Sequence, residues 1–334
     1  MKHIFIIHSH TLFLTSLGVI DKLHLKKEDV LFLFHRHYST TIPFPYQWID
    51  ISEMFERSYY MLFSWSRKNF FYNKKIRDEV VAYFDEIVDK NVCDAFYLYT
   101  ASLQAFTEQI IATNKKCKEC FFIQEGGRAM ISCMTDKIAW IWRVYNKCVL
   151  RNEKRFWKCT NWFPNKKTPY NKPITAFAFD DNFFCQQPQK IIHIEWPKVD
   201  IKIDINPNIP IFLLEGAVEL GQVDRTTYTN AFKHLLSDNA EGNNYIKFHP
   251  MQTMETKKMY MSFFSENNLE IEELPMEIPF ELILLKYKHL KLYGFGTSLL
   301  FYGKAMGHEV ISYEKDLMCS KRYRLYANGL AKLQ

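Results

Sequence analysis

The chain has 334 residues, of which 48% are hydrophobic and 24% are charged, and its formal net charge is +6. This composition is typical of a soluble globular protein with a large core, and the length suggests two domains of ordinary size. No apolar run approaches the roughly 20 residues that a bilayer-spanning helix needs, so the sequence excludes a membrane-spanning chain.

Apolar runs of strand length recur through the first half, each followed by a polar break and a helical pattern. Their near-continuous hydrophobicity predicts parallel strands that are buried on both faces. The first run is interrupted by histidines and lacks a cleavage site, so it is interpreted as a strand and not as a signal peptide. The predicted strands are residues 3–8, 29–35, 95–100 and 119–124, and predicted helices cover 73–90 and 102–113.

The same alternation continues in the second half. Its predicted strands are residues 209–216, 243–250, 269–275, 289–296 and 308–315, and its predicted helices are 227–236, 255–267, 278–287 and 297–307. Two such halves predict an α/β fold of two Rossmann-like domains with parallel sheets, which face each other across a cleft. The predicted domains are residues 1–185 and 186–314, and residues 315–334 form a tail that packs back on the first domain.

A glycine-containing turn follows the predicted strand at residues 289–296. Gly296 would let the backbone approach a ligand closely, and the next helix would begin at Thr297 and Ser298. A helix N-terminus offers free N–H groups and the positive end of a dipole, so this turn predicts a phosphate-binding site. The simpler interpretation is a capped turn of the kind that every α/β protein contains.

The stretch YIKFHP ends another strand with a histidine and a proline. Pro250 would stop the strand and direct His249 into the cleft, while Lys247 would share a face with His249. An imidazolium at this place could neutralise a phosphate and donate a proton to it. A histidine at a strand end is also often only structural.

Two carboxylates add to these candidates. Glu281, at the start of a predicted helix, could bind the hydroxyls of a ribose, or it could be an ordinary acid of the first helical turn. Glu125, followed by Gly126, ends a strand of the first domain and could serve as a general base. Taken alone, this second motif is better explained as a polar turn.

The order of these motifs along the chain resembles that of bacterial sialyltransferases of the GT-B fold. The closest resemblance is to the lipooligosaccharide sialyltransferase family (glycosyltransferase family 52) and the related capsular polysialyltransferases. It implies metal-independent transfer of sialic acid from CMP-sialic acid to a sugar hydroxyl, with inversion. In that scheme His249 contacts the CMP phosphate and acts as the acid, Glu281 binds the ribose, and Thr297 with Ser298 holds the phosphate. The first domain would take the acceptor, and the second would take the nucleotide sugar.

The sequence departs from this family where the base is expected. The family's motif has two acids before the glycine, but the first position here is Gln124, so Glu125 is the first candidate for the base. Some relatives carry the base after the first strand of the second domain. The segment 215–224 contains Gly216, assigned to substrate binding, and the acids Glu215, Glu219 and Asp224. Asp224 is the second candidate for the base.

The expected partners follow from the same comparison. No cofactor beyond the donor CMP-sialic acid and no metal are expected, since no Asp-x-Asp pair is present. The acceptor would be a glycan of the lipooligosaccharide or capsule, with a lipid anchor. Two histidine-rich loops, residues 8–10 and 35–37, could line the acceptor side, although each could equally be a polar loop.

A basic, tryptophan-rich window at residues 137–172 predicts contact with an anionic membrane surface. Nucleic-acid binding uses similar chemistry but is not expected, and a basic outer face over buried tryptophans is a slightly favoured alternative to the membrane contact. Eight scattered cysteines without a second close pair argue against structural zinc and favour a reducing cytoplasm. The expected location is therefore the cytoplasm, on the inner face of the membrane. The oligomeric state, with a homodimer as one option, stays open.

Two other functions remain compatible with these motifs. A CDP-polyol phosphotransferase of GT-B fold uses similar His-Pro and Gly-Ser/Thr turns. A catalytically inactive glycan-binding subunit is kept open by Gln124, which cannot act as a base. Turnover of the respective donors, or nucleotide binding without turnover, separates the three possibilities.

Overall fold

The computed structural model describes residues 1–63, 70–101, 106–125, 175–179, 188, 190–240 and 242–324. The chain divides into two compact units, Met1–Lys198 and Val199–Gln334. Each unit contains helices and one sheet of parallel strands, which confirms the predicted α/β fold class with two parallel sheets. The division comes later than the sequence suggested, because the strand Lys190–His193 pairs with the first sheet.

The first unit contains a parallel sheet of seven strands in the order β3-β2-β1-β4-β5-β6-β7. Its strands are β1 (Lys2–Ile7), β2 (Val30–Phe34), β3 (Gln47–Asp50), β4 (Phe96–Thr100), β5 (Cys117–Ile123), β6 (Thr175–Ala178) and β7 (Lys190–His193). Its helices, in the part that the structure describes, are α1 (His10–Lys22), α2 (Ser52–Phe63), α3 (Phe70–Asn91) and α4 (Phe106–Thr113). The strand order reverses between β1 and β4, which is where open α/β sheets carry their ligand crevice.

Local sequence explains the central elements of this unit. Every residue of β2 is buried, as expected for a strand of a parallel sheet that is covered on both faces. Helix α1 begins after Ser9, whose side chain accepts a hydrogen bond from the Leu12 N–H at 3.3 Å. The sequence predicted β1, β2, β4 and β5, but it missed β3, β6 and β7.

The second unit contains a parallel sheet of five strands in the order β10-β9-β8-β11-β12. Its strands are β8 (Ile211–Leu213), β9 (Asn243–Lys247), β10 (Glu270–Glu273), β11 (Lys291–Gly294) and β12 (Glu309–Ser312). The described helices of this unit are α5 (Arg225–Asn239), α6 (Met254–Glu266), α7 (Phe280–Lys286), α8 (Ser298–Ala305) and α9 (Glu314–Leu317). All five predicted strands and all four predicted helices are present, and the order reverses between β8 and β11.

The chain beyond β12 packs on the second unit as far as Arg324, where its description ends. Tyr323 is fully buried in the same aromatic core as Phe212 and Phe232. The described part of the predicted tail belongs to the second unit, and its packing on the first domain stays a prediction. The basic window at 137–172 lies outside the described residues. Of the helices that the structure does describe, none combines the length and the hydropathy needed to cross a membrane.

Candidate functional site

The predicted motifs of the second unit follow strands that are neighbours in its sheet. The loop containing Gly216 follows β8, the His249 turn follows β9, and the Thr297 turn follows β11. Because β9, β8 and β11 are adjacent and parallel, these three connections leave the same edge of the sheet. This edge includes the point where the strand order reverses, so it is the expected ligand-binding edge.

A compact turn holds the backbone of His249. Its N–H donates to Oε1 of Gln252 at 2.8 Å, and its carbonyl accepts the Gln252 N–H at 2.9 Å. The Met251 N–H donates to Nδ1 of the His249 ring at 3.2 Å. Nδ1 therefore carries the lone pair, and in the neutral ring the proton lies on Nε2. Among the residues that the structure describes, none hydrogen-bonds Nε2 of His249.

Gly216 provides the space for this ring. A Cβ atom at Gly216 would lie 2.9 Å from Nδ1 of His249, closer than real Cβ contacts. The two loops are also joined where they start, because the Leu214 N–H donates to the Lys247 carbonyl at 3.0 Å. The structure thus brings together two residues that the sequence assigned separately to catalysis and to substrate binding.

The surroundings of the His249 ring affect its charge. Burial lowers the pKa of the His249 imidazole below its usual value, and the charge of Glu219 only partly opposes this. In the neutral ring, Nε2–H is a hydrogen-bond donor for a phosphate oxygen. Burial thus disfavours the imidazolium that the sequence predicted at this position.

The turn after β11 caps helix α8. Thr297 is the N-cap, and its hydroxyl accepts the Leu299 N–H at 3.4 Å, while Ser298 is the first helical residue and is half-buried. A Cβ at Gly296 would overlap the Tyr323 hydroxyl and would lie 3.0 Å from Oε1 of Glu314. Gly296 therefore makes room for the C-terminal segment, whereas the sequence assigned it to a ligand.

Lys247 also has a different role from the predicted one. Its ammonium group donates to the carbonyl of Pro275 and, at 3.0 Å, to that of Ile278, so it fastens the segment before α7. Burial lowers the pKa of Lys247 to about 8, against the opposing charge of Glu281. Glu281 lies in the first turn of α7 and is only 4% exposed. Pro250 is exposed in the His249 turn.

Asp224 is the N-cap of helix α5 and is exposed to solvent. One carboxylate oxygen accepts the Thr227 N–H and the other accepts the Thr227 hydroxyl, both at 2.8 Å. These bonds from Thr227 lower the pKa of Asp224 and weaken it as a base. The structure therefore argues against Asp224 as the second candidate for the base. Glu219 is the acid of this loop whose charge acts on His249.

Glu125 of the first unit is hydrogen-bonded to a histidine. Its Oε1 contacts Nε2 of His8, the residue that follows β1. Burial raises the pKa of the Glu125 carboxyl, but the hydrogen bond and charge of His8, with the charge of Arg36, outweigh burial and lower it overall. His8 was predicted only to line the acceptor side. Its pairing with Glu125 could be inferred only from the strand order, which places both at the same sheet edge.

Gln124, which stands where the resembled sialyltransferase motif has an acid, points into the protein. It is fully buried, and its side-chain oxygen accepts the Phe179 N–H at 2.8 Å. Its backbone N–H donates to the Phe177 carbonyl at 3.0 Å, and its own carbonyl accepts the Thr15 hydroxyl at 2.9 Å. Gln124 thus ties β5 to β6 and α1. Gly126, the next predicted site residue, lies outside the described residues.

The other loop histidines occupy separate places. His35 follows β2, is 1% exposed, and packs its ring 4.7 Å from the ring of His8. His37 is exposed and pairs with Glu56 at 3.2 Å, and His10 contacts the Tyr38 hydroxyl at 3.1 Å. Within the described ranges, no three His, Cys, Asp or Glu side chains are grouped as metal ligands. The expectation of a metal-independent reaction stays a prediction.

Comparison with known proteins supports the fold. No protein-family model matches the chain, and no curated protein matches its sequence. Solved structures do match: S. aureus MnaA, determined with UDP, has a TM-score of 0.51 at 10% identity, covering 100% of this chain and 89% of that chain. The spinosyn rhamnosyltransferase SpnG has a TM-score of 0.50 at 8% identity, covering 100% of this chain and 91% of that chain.

A sialyltransferase from Photobacterium damsela has a TM-score of 0.47 at 13% identity, covering 99% of this chain and 80% of that chain, and is too distant to support an inference. UDP-GlcNAc 2-epimerases are among the other neighbours. At these identities the likeness shows the fold alone, which is the fold of GT-B glycosyltransferases and nucleotide-sugar epimerases.

Proposed function

We propose that this protein is an inverting glycosyltransferase that takes its sugar from a nucleotide-sugar donor. The observation that carries the proposal is the His249 ring seated over Gly216, with its Nε2–H not bonded to any residue that the structure describes. This donor lies at the ligand-binding edge of the second sheet, which also carries the N-terminus of α8. Such a site suits the phosphate of a nucleotide.

The chemistry of transfer uses these groups directly. When the bond between the anomeric carbon and the phosphate oxygen breaks, negative charge develops on that oxygen, and a preorganised donor such as Nε2–H stabilises it. The acceptor hydroxyl must lose a proton, and the His8–Glu125 pair of the first unit supplies a base for this step. Neither role requires a metal ion.

We further propose that the donor is CMP-sialic acid and that the acceptor is a lipid-linked surface glycan at the cytoplasmic membrane face. The motif order around His249, Glu281 and Thr297 supports the donor, and the basic, tryptophan-rich window at 137–172 supports the membrane contact. The buried, hydrogen-bonded side chain of Gln124 weakens the case for an inactive binding subunit, because that position has a structural role whatever the activity.

A donor panel tests the proposal. The protein is incubated with CMP-sialic acid, CDP-glycerol or UDP-GlcNAc, with lactose as acceptor, and products are identified by mass spectrometry with and without EDTA. We expect sialyl-lactose and free CMP, unaffected by EDTA, and a loss of about 10²- to 10³-fold in His249→Ala. Turnover of CDP-glycerol alone would indicate a polyol-phosphate transferase. Epimerisation of UDP-GlcNAc without transfer would assign the protein to the epimerases, and no turnover of any donor would contradict catalysis.

A further inference from the structure

Three side chains meet at the carboxyl edge of the first sheet. His8 follows β1, His35 follows the adjacent β2, and Glu125 follows β5. The His8 ring contacts Glu125 through Nε2 and lies 4.7 Å from the His35 ring, centroid to centroid. His35 also packs on the Phe55 ring at 3.9 Å. His8 follows β1, one of the two strands between which the strand order reverses, and a ligand is expected at this point of the carboxyl edge.

The Glu125 contact fixes which nitrogen of His8 can accept a proton. An ionised carboxylate only accepts hydrogen bonds, so the proton of neutral His8 lies on Nε2 and points at Glu125. Nδ1 then carries the lone pair. This atom is buried, and no residue that the structure describes forms a hydrogen bond with it. A buried nitrogen without a partner is unfavourable unless a ligand or water satisfies it.

His35 is a second unsatisfied group beside it. It is 1% exposed, and neither of its ring nitrogens has a hydrogen-bond partner among the residues that the structure describes. Burial, together with the nearby charges of His8 and Arg36, lowers the pKa of His35 to about 2, so the ring stays neutral. A neutral imidazole offers one donor and one acceptor. That combination matches an alcohol, which donates and accepts, better than an anion.

From this cluster we propose that His8 and His35 bind a hydroxyl-bearing sugar, and that Nδ1 of His8 is the base that deprotonates the reacting hydroxyl. The inference rests on the proposed glycosyl transfer and identifies its acceptor site. Glu125, the first candidate for the base, becomes a positioning residue that orients His8. A carboxylate whose pKa is lowered is a weaker proton acceptor, and its oxygen already receives the Nε2 proton.

The step balances without another reactant. The acceptor O–H gives its proton to Nδ1 of His8, and the oxygen uses the freed electron pair to form the new bond to the anomeric carbon. The bond from that carbon to the phosphate oxygen breaks, and its electron pair leaves with the nucleotide. The carboxylate of Glu125 stabilises the imidazolium that forms, and the proton then passes to solvent.

Five variants test the assignment: His8→Gln, His8→Ala, Glu125→Gln, His35→Asn and the control His24→Asn. Glutamine at position 8 can still donate to Glu125 but cannot act as a base. His24 follows helix α1, is exposed and has a φ of 51°, which asparagine tolerates. Steady-state constants are measured for transfer to lactose, and melting temperatures with CMP check that each variant folds and binds nucleotide.

The proposal predicts that His8→Gln lowers kcat by about 10²- to 10⁴-fold. Glu125→Gln should have a smaller effect on kcat, and His35→Asn should raise KM for the acceptor by about tenfold. The control should resemble wild type. Added imidazole should partly restore His8→Ala, which a purely structural role would not allow. Transfer that survives in His8→Gln but is abolished in Glu125→Gln would overturn the proposal and return the base to Glu125.

A donor-independent experiment separates this inference from the proposed function. Saturation-transfer NMR with lactose, N-acetylglucosamine and free sialic acid reports whether wild type binds a sugar, and whether His35→Asn weakens the signal. If no nucleotide binds or turns over but a sugar signal depends on His35, the proposed function fails and the hydroxyl site stands. If no sugar gives a signal that depends on His35, the hydroxyl site is overturned, whatever the donor assay shows.

Discussion

The position of the His249 ring depends on residue 216 being glycine, which has no side chain. The ring occupies the space where a Cβ would be, and the Met251 N–H fixes its tautomer. This arrangement leaves one polarised N–H of a neutral ring for a ligand. A single methyl group at position 216 is therefore a direct probe of the site.

Gly216→Ala should weaken nucleotide binding by displacing the His249 ring, because the new Cβ would lie 2.9 Å from Nδ1. Isothermal titration with CMP should show a loss of about tenfold or more. Gly242→Ala is the matched control, since no heavy atom lies within 4 Å of its added Cβ. Equal affinities in the two variants would show that His249 does not hold the nucleotide.

Gln124→Glu introduces the acid that the resembled sialyltransferase motif has at this position, and it should destabilise the protein without increasing activity. The side chain is fully buried and its oxygen accepts the Phe179 N–H, so a carboxylate there would lose its hydration. We expect the free energy of unfolding at pH 7 to fall by about 2 kcal/mol or more in urea titrations. Faster transfer by this variant would show that Gln124 replaces a catalytic base.

At the scale of secondary-structure elements, several predicted site residues stabilise the ends of helices and strands. Asp224 caps α5, Thr297 caps α8, and Lys247 joins the end of β9 to the segment before α7. A polar residue just after a strand is a sign of a ligand site and also of a helix cap. Sequence alone does not separate the two, because both use the same side chains at the same position.

Asp224→Ala should destabilise helix α5 and leave catalysis intact. It removes both hydrogen bonds to Thr227, and we expect the melting temperature to fall by about 1 to 4 °C. Asp224→Asn, which retains the cap, should be close to wild type. A large drop in kcat in both variants, with unchanged melting temperatures, would instead identify Asp224 as the base.

Lys247 makes stability depend on pH in a defined direction. Its folded pKa of about 8 lies below the ordinary value of 10.5, so the unfolded chain binds the proton more tightly. Its contribution to the free energy of unfolding is therefore greatest above pH 10.5 and is lost as the pH falls through 8. From pH 7 to pH 10, the contribution of Lys247 to the free energy of unfolding rises by about 2 kcal/mol.

The matched comparison is Lys247→Met, which removes the titrating group. Urea titrations at pH 7 and pH 10 should show the wild type gaining stability relative to this variant. Parallel changes in the two proteins would show that the Lys247 ammonium is not desolvated by the fold.

At the scale of the whole molecule, the sequence predicted the architecture well where strands are apolar and buried. All five strands of the second sheet were found, because hydrophobic runs and helical patterns alternate there without interruption. It missed β3, of which three of the four residues are exposed, and β6, which lies in a Pro- and Lys-rich segment that was interpreted as the domain joint. Periodicity contains no signal for such short strands.

The site was also predictable in part from the sequence. Because parallel strands end at one sheet edge, residues such as His249 and Glu125 could be placed from their position after a strand. The direction in which each side chain points could not be predicted from the sequence. Lys247 contacts backbone carbonyls, Gly296 makes room for Tyr323, and the pairing of His8 with Glu125 joins residues far apart in the chain. Only the packed structure determines these contacts.

Nucleotide binding at His249 is the central claim, and a thermal-shift titration tests it most directly. Wild type, His249→Ala and Gly242→Ala are titrated with CMP, CDP, UDP and GDP, since a ligand of the native state raises the melting temperature. We predict a shift with CMP in wild type and Gly242→Ala that is lost in His249→Ala. No shift with any nucleotide, or a shift that survives in His249→Ala, would contradict the account.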